Sequence, residues 1–369
     1  MNHSETLQNT LSWLSKLVAM DTRNGTGDEI ACVKFLGEAF QAFKPDQIIV
    51  ETAPRSRGKS DSGYVLAVWG TPKILLNVHI DTVPDGDGWT ASPFDLRQDG
   101  DKYIGLGTSD IKGAAACILG ALGTVQPKNV AVLFSGDEEH GSEIMPAAIA
   151  RGHYGNAPMA IVCEPTSSKV GRRHRGIIAF SIEASGPGGH SSLADITPAP
   201  LLQISRLAAA IGDYGDQYKD FGQDPYKGLC TNIGDIRMDG SYNVIPTSAS
   251  LKFSLRPPPG DDIAQRESDI REIHKRVLPD CELDQIVGLK PFECHNIDAF
   301  RSVFADQFNV VDLPFWTEAA LLSEAGVNSV VFGPGHLDQA HKPNEYVTGE
   351  QLMLARSVYA RALSGVWDA

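Results

Sequence analysis

The sequence predicts an α/β protein: a first domain built on a mostly parallel sheet with helices on both faces, plus an inserted smaller α+β domain with an antiparallel sheet. Three observations predict it. Short, nearly unbroken apolar runs begin at Ile74, Val130, Ala160 and Ser329, the pattern of strands buried on both faces. Each run leads, at its C-terminal end or just beyond, into His or acidic residues, where an open parallel sheet places its site. From Gly176 to about Ile286 the pattern changes: residues 177–183 and 250–255 alternate or nearly so, as one-sided antiparallel strands do. The expected division is therefore residues 1–175, an inserted 176–286, and a returning 287–369.

Taken in order, Leu7, Leu11, Leu14, Leu17 and Val18 recur at helical spacing, so the chain opens with an amphipathic helix. Residues 28–43 read as a second helix. Residues 47–52 and 64–69 read as strands joined by a polar turn over 55–62. The apolar run from Ile74 ends in His79-Ile80-Asp81, and period-two alternation puts both polar side chains on one side. A carboxylate behind an imidazole fixes its tautomer and raises its basicity. Asp85-Gly86-Asp87-Gly88 makes a turn, and 89–94 a loop. Gly105-Leu106-Gly107-Thr108-Ser109-Asp110-Ile111-Lys112-Gly113 leads into a small-residue helix over 114–123. Its two leading glycines lack the rest of a dinucleotide fingerprint and no suitable strand precedes them, which excludes a phosphate loop. Asp110 reads as a metal ligand or, more plainly, as an N-cap. Within the insertion, 201–211 and 268–277 read as helices, and a last helix covers 349–363.

A net charge of -14 and a pI near 5.1 argue against nucleic acid or an anionic membrane as partner. No stretch of eighteen apolar residues exists, so no transmembrane helix is expected. Residues 1–20 lack the basic start, apolar middle and cleavage site of a signal peptide. The six cysteines are scattered without paired spacing and read as reduced thiols of a cytoplasmic protein.

His79, Asp110, Glu139, Glu164 and His341 are the candidate ligands. Two imidazoles and three carboxylates suit zinc first, with cobalt or manganese as alternatives. Five ligands are too many for one tetrahedral ion but serve two divalent ions if one carboxylate bridges. The adjacent Glu138 and Glu139 divide naturally into a ligand and a free general base. Residue types alone leave open which is which.

His79-Ile80-Asp81, Gly107-Thr108-Ser109-Asp110-Ile111-Lys112-Gly113, Ser135-Gly136-Asp137-Glu138-Glu139-His140-Gly141, Glu164-Pro165-Thr166 and Ala340-His341-Lys342-Pro343-Asn344-Glu345 stand in the order of the di-zinc amidohydrolase and peptidase signature. The chain resembles that superfamily over nearly its whole length. Trp316-Thr317-Glu318 and Phe332-Gly333-Pro334-Gly335 are most similar to its acetylornithine and acetylcitrulline deacetylase branch. The resemblance implies that His79 and Glu164 hold one zinc, Glu139 and His341 the other, and that Asp110 bridges. It implies that Asp81 orients His79, that Glu138 is the base, and that the Asp110-Ile111 peptide is cis. It further implies a homodimer formed through the insertion, with His190 of Gly188-Gly189-His190-Ser191-Ser192 reaching the neighbouring site. Asn243 and Arg256 would contact the substrate carboxylate, for which an arginine fork is the better fit. The implied reaction is metal-dependent hydrolysis of an N-acetyl-L-amino acid in arginine biosynthesis, N-acetylornithine narrowly ahead of N-acetylcitrulline. A succinyl-diaminopimelate desuccinylase or dipeptidase is the alternative, and a non-catalytic binder of amino-acid derivatives the further one. Where the family often has Gly-Thr-Asp, this chain has Trp316-Thr317-Glu318, a departure that points to a reshaped pocket wall. Glu318 and Glu324 are the candidates for a carboxylate that would recognise ornithine's ammonium.

Overall fold

A computed structural model describes residues 3–55 and 60–368. The expected 55–62 turn lies in part outside the described residues, at 56–59. The chain divides into two compact units: Met1–Arg172, Cys294–Val311 and Thr317–Ala369 form one, and Arg173–Glu293 with Asp312–Trp316 the other.

The principal elements of the larger unit are first α1 (His3–Val18), α2 (Glu29–Gln41), β1 (Gln47–Ala53), β2 (Ser62–Trp69), β3 (Ile74–His79), α3 (Lys112–Leu122), β4 (Val130–Ser135) and β5 (Met159–Val162). The smaller unit contributes β6 (Ile177–Ser185), α4 (Pro200–Gln217), β7 (Cys230–Met238), β8 (Ser248–Arg256), α5 (Ile263–Val277) and β9 (Leu283–Leu289). The larger unit then resumes with β10 (Asn328–Val331) and α6 (Gly349–Ser364).

In the larger unit the strands lie in the order β1-β2-β4-β3-β5-β10. β3 pairs parallel with β4 and β5, and β10 parallel with β5, so their C-terminal ends share one edge. β1 and β2 run antiparallel at the far side. Every residue of β2, β3 and β4 is buried, which is why their sequences are nearly continuous apolar runs. Val65, Ala67, Leu76, Val78, Val132 and Phe134 join one core with Leu14 of α1, Leu36 of α2, Ile118 of α3 and Val358 of α6. The residues between them, such as Leu66 and Leu133, point to the opposite face. There the short helices Ile144–Ala150 and Ala319–Glu324 pack, against β2 and against β5 and β10 respectively. All eleven residues of α3 are buried. A Cβ on Gly113 would stand 2.3 Å from the Thr108 carbonyl oxygen, so only glycine lets the helix begin this close to the loop before it.

The smaller unit is an antiparallel sheet in the order β7-β8-β6-β9. Ile178, Phe180 and Ile182 of β6 and Leu251, Phe253 and Leu255 of β8 form a core with Ile204, Leu207 and Ile211 of α4 and Ile270 and Ile273 of α5. The intervening residues of β6 are half-buried or exposed, the one-sided alternation expected of such a sheet. The boundary expected between 286 and 287 falls inside β9. That strand pairs with β6 from Leu283 to Leu289, so the insertion extends past it. No described helix is long and apolar enough to cross a membrane.

Candidate metal centre

Five segments bring the polar residues together: the C-terminal ends of β3, β4, β5 and β10, and the loop before α3 that carries Asp110. His79 is the last residue of β3 and is 2% exposed. Its Nδ1 lies 3.1 Å from the Asp81 carbonyl oxygen and 3.4 Å from Asp81 Oδ1. Its Nε2 is thereby turned towards the other carboxylates, 3.1 Å from Asp110 Oδ1 and 3.9 Å from Glu164 Oε2. Glu138 and Glu139 lie on a single 3-10 turn just past β4, entered through Asp137 at φ 69°. Glu164 follows β5 and is 4% exposed. His341, itself at φ 60°, sits after β10 with its Nε2 2.9 Å from Glu139 Oε1 and 3.4 Å from Asp110 Oδ2. Two sets of donor atoms each fall within 4.8 Å of one another: His79, Glu138 and Glu164, and His79, Asp110 and Glu139.

Asp81 orients more than the imidazole. Its Oδ1 accepts the backbone N–H of Glu138 at 3.1 Å, and its Oδ2 accepts that of Glu139 and the Asn24 amide, both at 3.0 Å. One carboxylate thus fixes both His79 and the turn that carries the two glutamates. Burial would push Asp81 up, but the hydrogen bonds from His79, Asn24 and the Glu139 backbone hold it below the usual range.

The charge balance calls for cations. Burial, reinforced by neighbouring carboxylates, pushes Glu138 and Glu164 well above the ordinary glutamate range, and Glu139 upwards as well. Hydrogen bonds to Asp110 and Glu139 raise His341 to about 11. Burial opposes charge on His79, yet Asp110 and Asp81 raise it well above an ordinary histidine. Glu164 Oε1 is fully buried and accepts no hydrogen bond from the described residues, a costly state for a carboxylate oxygen unless a cation faces it. Hard oxygen donors and imidazole nitrogens converging on an orphaned carboxylate fit divalent metal ions.

A profile of the peptidase family M20/M25/M40 matches residues 75–365. The chain belongs to that family. It is an M20 metallohydrolase. It is 33% identical to N-acetyl-L-citrulline deacetylase of Xanthomonas campestris pv. campestris, over 98% of this chain and 99% of that protein. It is 30% identical to acetylornithine deacetylase of Erwinia tasmaniensis, over 80% of each chain. A dinuclear metal binding peptidase from Bacillus subtilis shares the fold at a TM-score of 0.67 and 15% identity, covering 99% of both chains.

Hydrogen bonds within the signature segments fix the loop that carries Asp110. Glu345, 2% exposed, accepts the backbone N–H groups of Gly107, Ser109 and Asp110 at 2.9, 2.7 and 2.8 Å. The N–H groups of the glycine-rich loop are therefore taken up by the chain's own Glu345 side chain. Asp110 is no cap: the residue before α3 is Ile111, with no side-chain cap bond, and the Asp110-Ile111 peptide is cis. Glu318 is 1% exposed and accepts from Ser135 Oγ at 2.9 Å and Ser142 Oγ at 2.7 Å. It braces the end of β4 and is not a free pocket carboxylate, and Glu324 lies exposed at a helix end. Trp316 is buried in the smaller unit, where it packs against His174 and donates to the Lys290 carbonyl.

His190, Asn243 and Arg256 belong to the smaller unit. His190 is exposed, its Nδ1 2.7 Å from Ser192 Oγ, and its backbone pairs with Val244 beside Asn243. Arg256 ends β8, and its guanidinium donates to no acceptor among the described residues. Burial, with the nearby Arg175 charge, lowers its pKa.

Proposed function

We propose that this M20 chain is a di-metal deacetylase that hydrolyses the acetyl amide of an N-acetyl-L-amino acid, and that N-acetylcitrulline and N-acetylornithine are its substrates. The observation that carries the reading is the convergence of His79, Asp110, Glu139, Glu164 and His341 at one sheet edge, with Glu138 beside them. His79 and Glu164 would hold one ion, Glu139 and His341 the other, and Asp110 both, with zinc the first choice and cobalt or manganese the alternatives. Two such ions would supply Lewis acidity towards the acyl oxygen and acidify water at the site.

The chain's own groups then divide the work. Glu139 is engaged with His341, whereas no described residue donates to the Glu138 carboxylate. Glu138 takes the proton from the attacking water and delivers it to the leaving amine as the amide C–N bond breaks, releasing acetate. A carboxyl whose pKa is raised by burial is suited to both halves of that task. Arg256, with its guanidinium unpaired among the described residues, suits the substrate α-carboxylate, and Asn243 a polar contact beside it.

On motifs alone N-acetylornithine ranks first. Two observations move N-acetylcitrulline ahead: the first-named relative covers almost the whole chain, and Glu318, the carboxylate that ornithine's ammonium would need, is already engaged by Ser135 and Ser142. A homodimer, with His190 serving the partner's centre, is part of the same reading. The edge strand β7 leaves Ile233, Ile236 and Met238 exposed, as an unpaired sheet edge awaiting a second copy would. Its setting would be the cytoplasm, where six free thiols are kept reduced.

The test is a pair of substitutions assayed for acetate release and zinc content. Glu138→Gln keeps both ions and loses turnover by roughly two to four orders of magnitude. Glu139→Gln lowers zinc occupancy. If Glu138→Gln remained active while Glu139→Gln bound zinc normally and was dead, the roles of base and ligand would be exchanged.

A further inference from the structure

Three charged side chains lie behind the Glu138–Glu139 turn, and the reaction as drawn uses none of them. Glu29, Arg55 and Asp137 have side chains 1%, 1% and 0% exposed. Arg55 Nη1 bridges the two acids, 2.9 Å from Glu29 Oε1 and 3.0 Å from Asp137 Oδ1. Glu29 Oε2 accepts from Ser62 Oγ at 2.5 Å and from the Asp137 backbone N–H at 3.0 Å. Asp137 Oδ2 accepts the Glu143 N–H at 2.9 Å, and the Asp137 carbonyl accepts the Ser142 N–H at 2.7 Å. A Cβ on Gly136 would stand 2.2 Å from Ser62 Oγ and 2.4 Å from Glu29 Oε2, so the strand end fits this cluster only as glycine.

Buried ions are costly, and a fold retains them where they fix a geometry. Here the fixed geometry is that of Asp137, held at φ 69° on three sides: its carboxylate, its N–H and its carbonyl are all bonded. The next two residues are Glu138 and Glu139. Their backbone N–H groups are held by the Asp81 carboxylate. The turn is thus held twice, at Glu138 and Glu139 by Asp81 and at Asp137 by Arg55 and Glu29.

We infer that Glu29, Arg55 and Asp137 form a positioning clamp that sets where the Glu138 and Glu139 carboxylates stand, and so governs turnover and the affinity of one ion while leaving substrate affinity alone. This rests on the proposed roles of Glu138 and Glu139. Arg55 is the most informative member. Its guanidinium satisfies two carboxylates at once, whereas lysine would keep the charge without the planar fork.

The experiment compares Arg55→Gln, Arg55→Lys and Glu29→Gln with Val358→Ala, a core truncation in α6 that costs stability away from the turn. Zinc dissociation constants are measured by chelator competition, and kcat and KM for N-acetyl amino acids on zinc-saturated, folded protein. The clamp predicts that Arg55→Gln and Glu29→Gln lower kcat by roughly 10- to 100-fold, keep KM within about threefold, and weaken one of the two zinc sites by a similar factor. Arg55→Lys recovers part of both losses, and Val358→Ala melts earlier with kcat and zinc affinity intact. Wild-type kcat and zinc affinity in folded Arg55→Gln and Glu29→Gln would overturn the clamp, as would losses matched by Val358→Ala. Zinc affinity reads the clamp even if Glu138→Gln proves active, so failure of the base assignment is told apart from failure of the clamp.

Discussion

His341 and Glu164 show at the scale of single residues how the proposed metal centre would be linked thermodynamically to its ions. His341 is raised to about 11 by Asp110 and Glu139, while burial raises Glu164 and Glu138 well above the glutamate range. Each group therefore binds its proton more tightly in the metal-free fold than in the unfolded chain. The stability this confers is complete below the unfolded pKa values, about 4.5 for the acids and 6.5 for the histidine. It is lost as pH rises through the folded values. Ligation by His341 and Glu164 would need their protons gone, so metal uptake should release them and grow tighter with pH. The melting temperature of chelator-treated protein should fall between about pH 6 and pH 9, and the gap to the metal-loaded protein should widen. A gap independent of pH in paired melts would refute the linkage. The ligand candidates were legible because carboxylates and imidazoles interrupt apolar runs. Asn24, Glu29 and Arg55 were not, because their partners at the site lie 57, 108 and 82 residues away. Only the fold brings such pairs together.

Elements differ in how far local sequence specifies them. β3 and β4 announce themselves as apolar runs because both faces are covered. β7 does not: it is a mostly exposed edge strand, broken by a register shift between Ile233 and Asp235, so no alternation survives to be read. The hairpin strands Arg97–Asp99 and Lys102–Ile104 are three residues each, too short for a pattern. α3 is the element on which the site leans most directly. Gly113→Ala would drive a methyl into the Thr108 carbonyl, two residues before Asp110. It should destabilise the fold by about 1–3 kcal/mol, as overpacking does, and should weaken zinc binding as the Asp110 loop shifts. Denaturant melts with a parallel zinc titration measure both. An unchanged midpoint would mean that the loop and helix yield freely.

For the whole molecule, the fold class and the interruption of one unit by another were readable from the switch between two-sided and one-sided strands. The partner surface was less so, since exposed apolar residues on β7 acquire meaning only once the strand is seen at a sheet edge. If His190 serves a neighbouring subunit, inactive His190→Ala and inactive Glu138→Gln chains should regain activity when mixed and allowed to exchange. A monomer in sedimentation with full activity would end that idea. Metal-dependent deacetylation of an N-acetyl amino acid is the proposed activity. Its most direct test is the rate of amide hydrolysis of N-acetylcitrulline, N-acetylornithine, succinyl-diaminopimelate and a dipeptide, side by side, with zinc and with chelator. Zinc-dependent acetate release is expected, fastest from N-acetylcitrulline and next from N-acetylornithine. Faster cleavage of succinyl-diaminopimelate or the dipeptide, or turnover that survives the chelator, would contradict it.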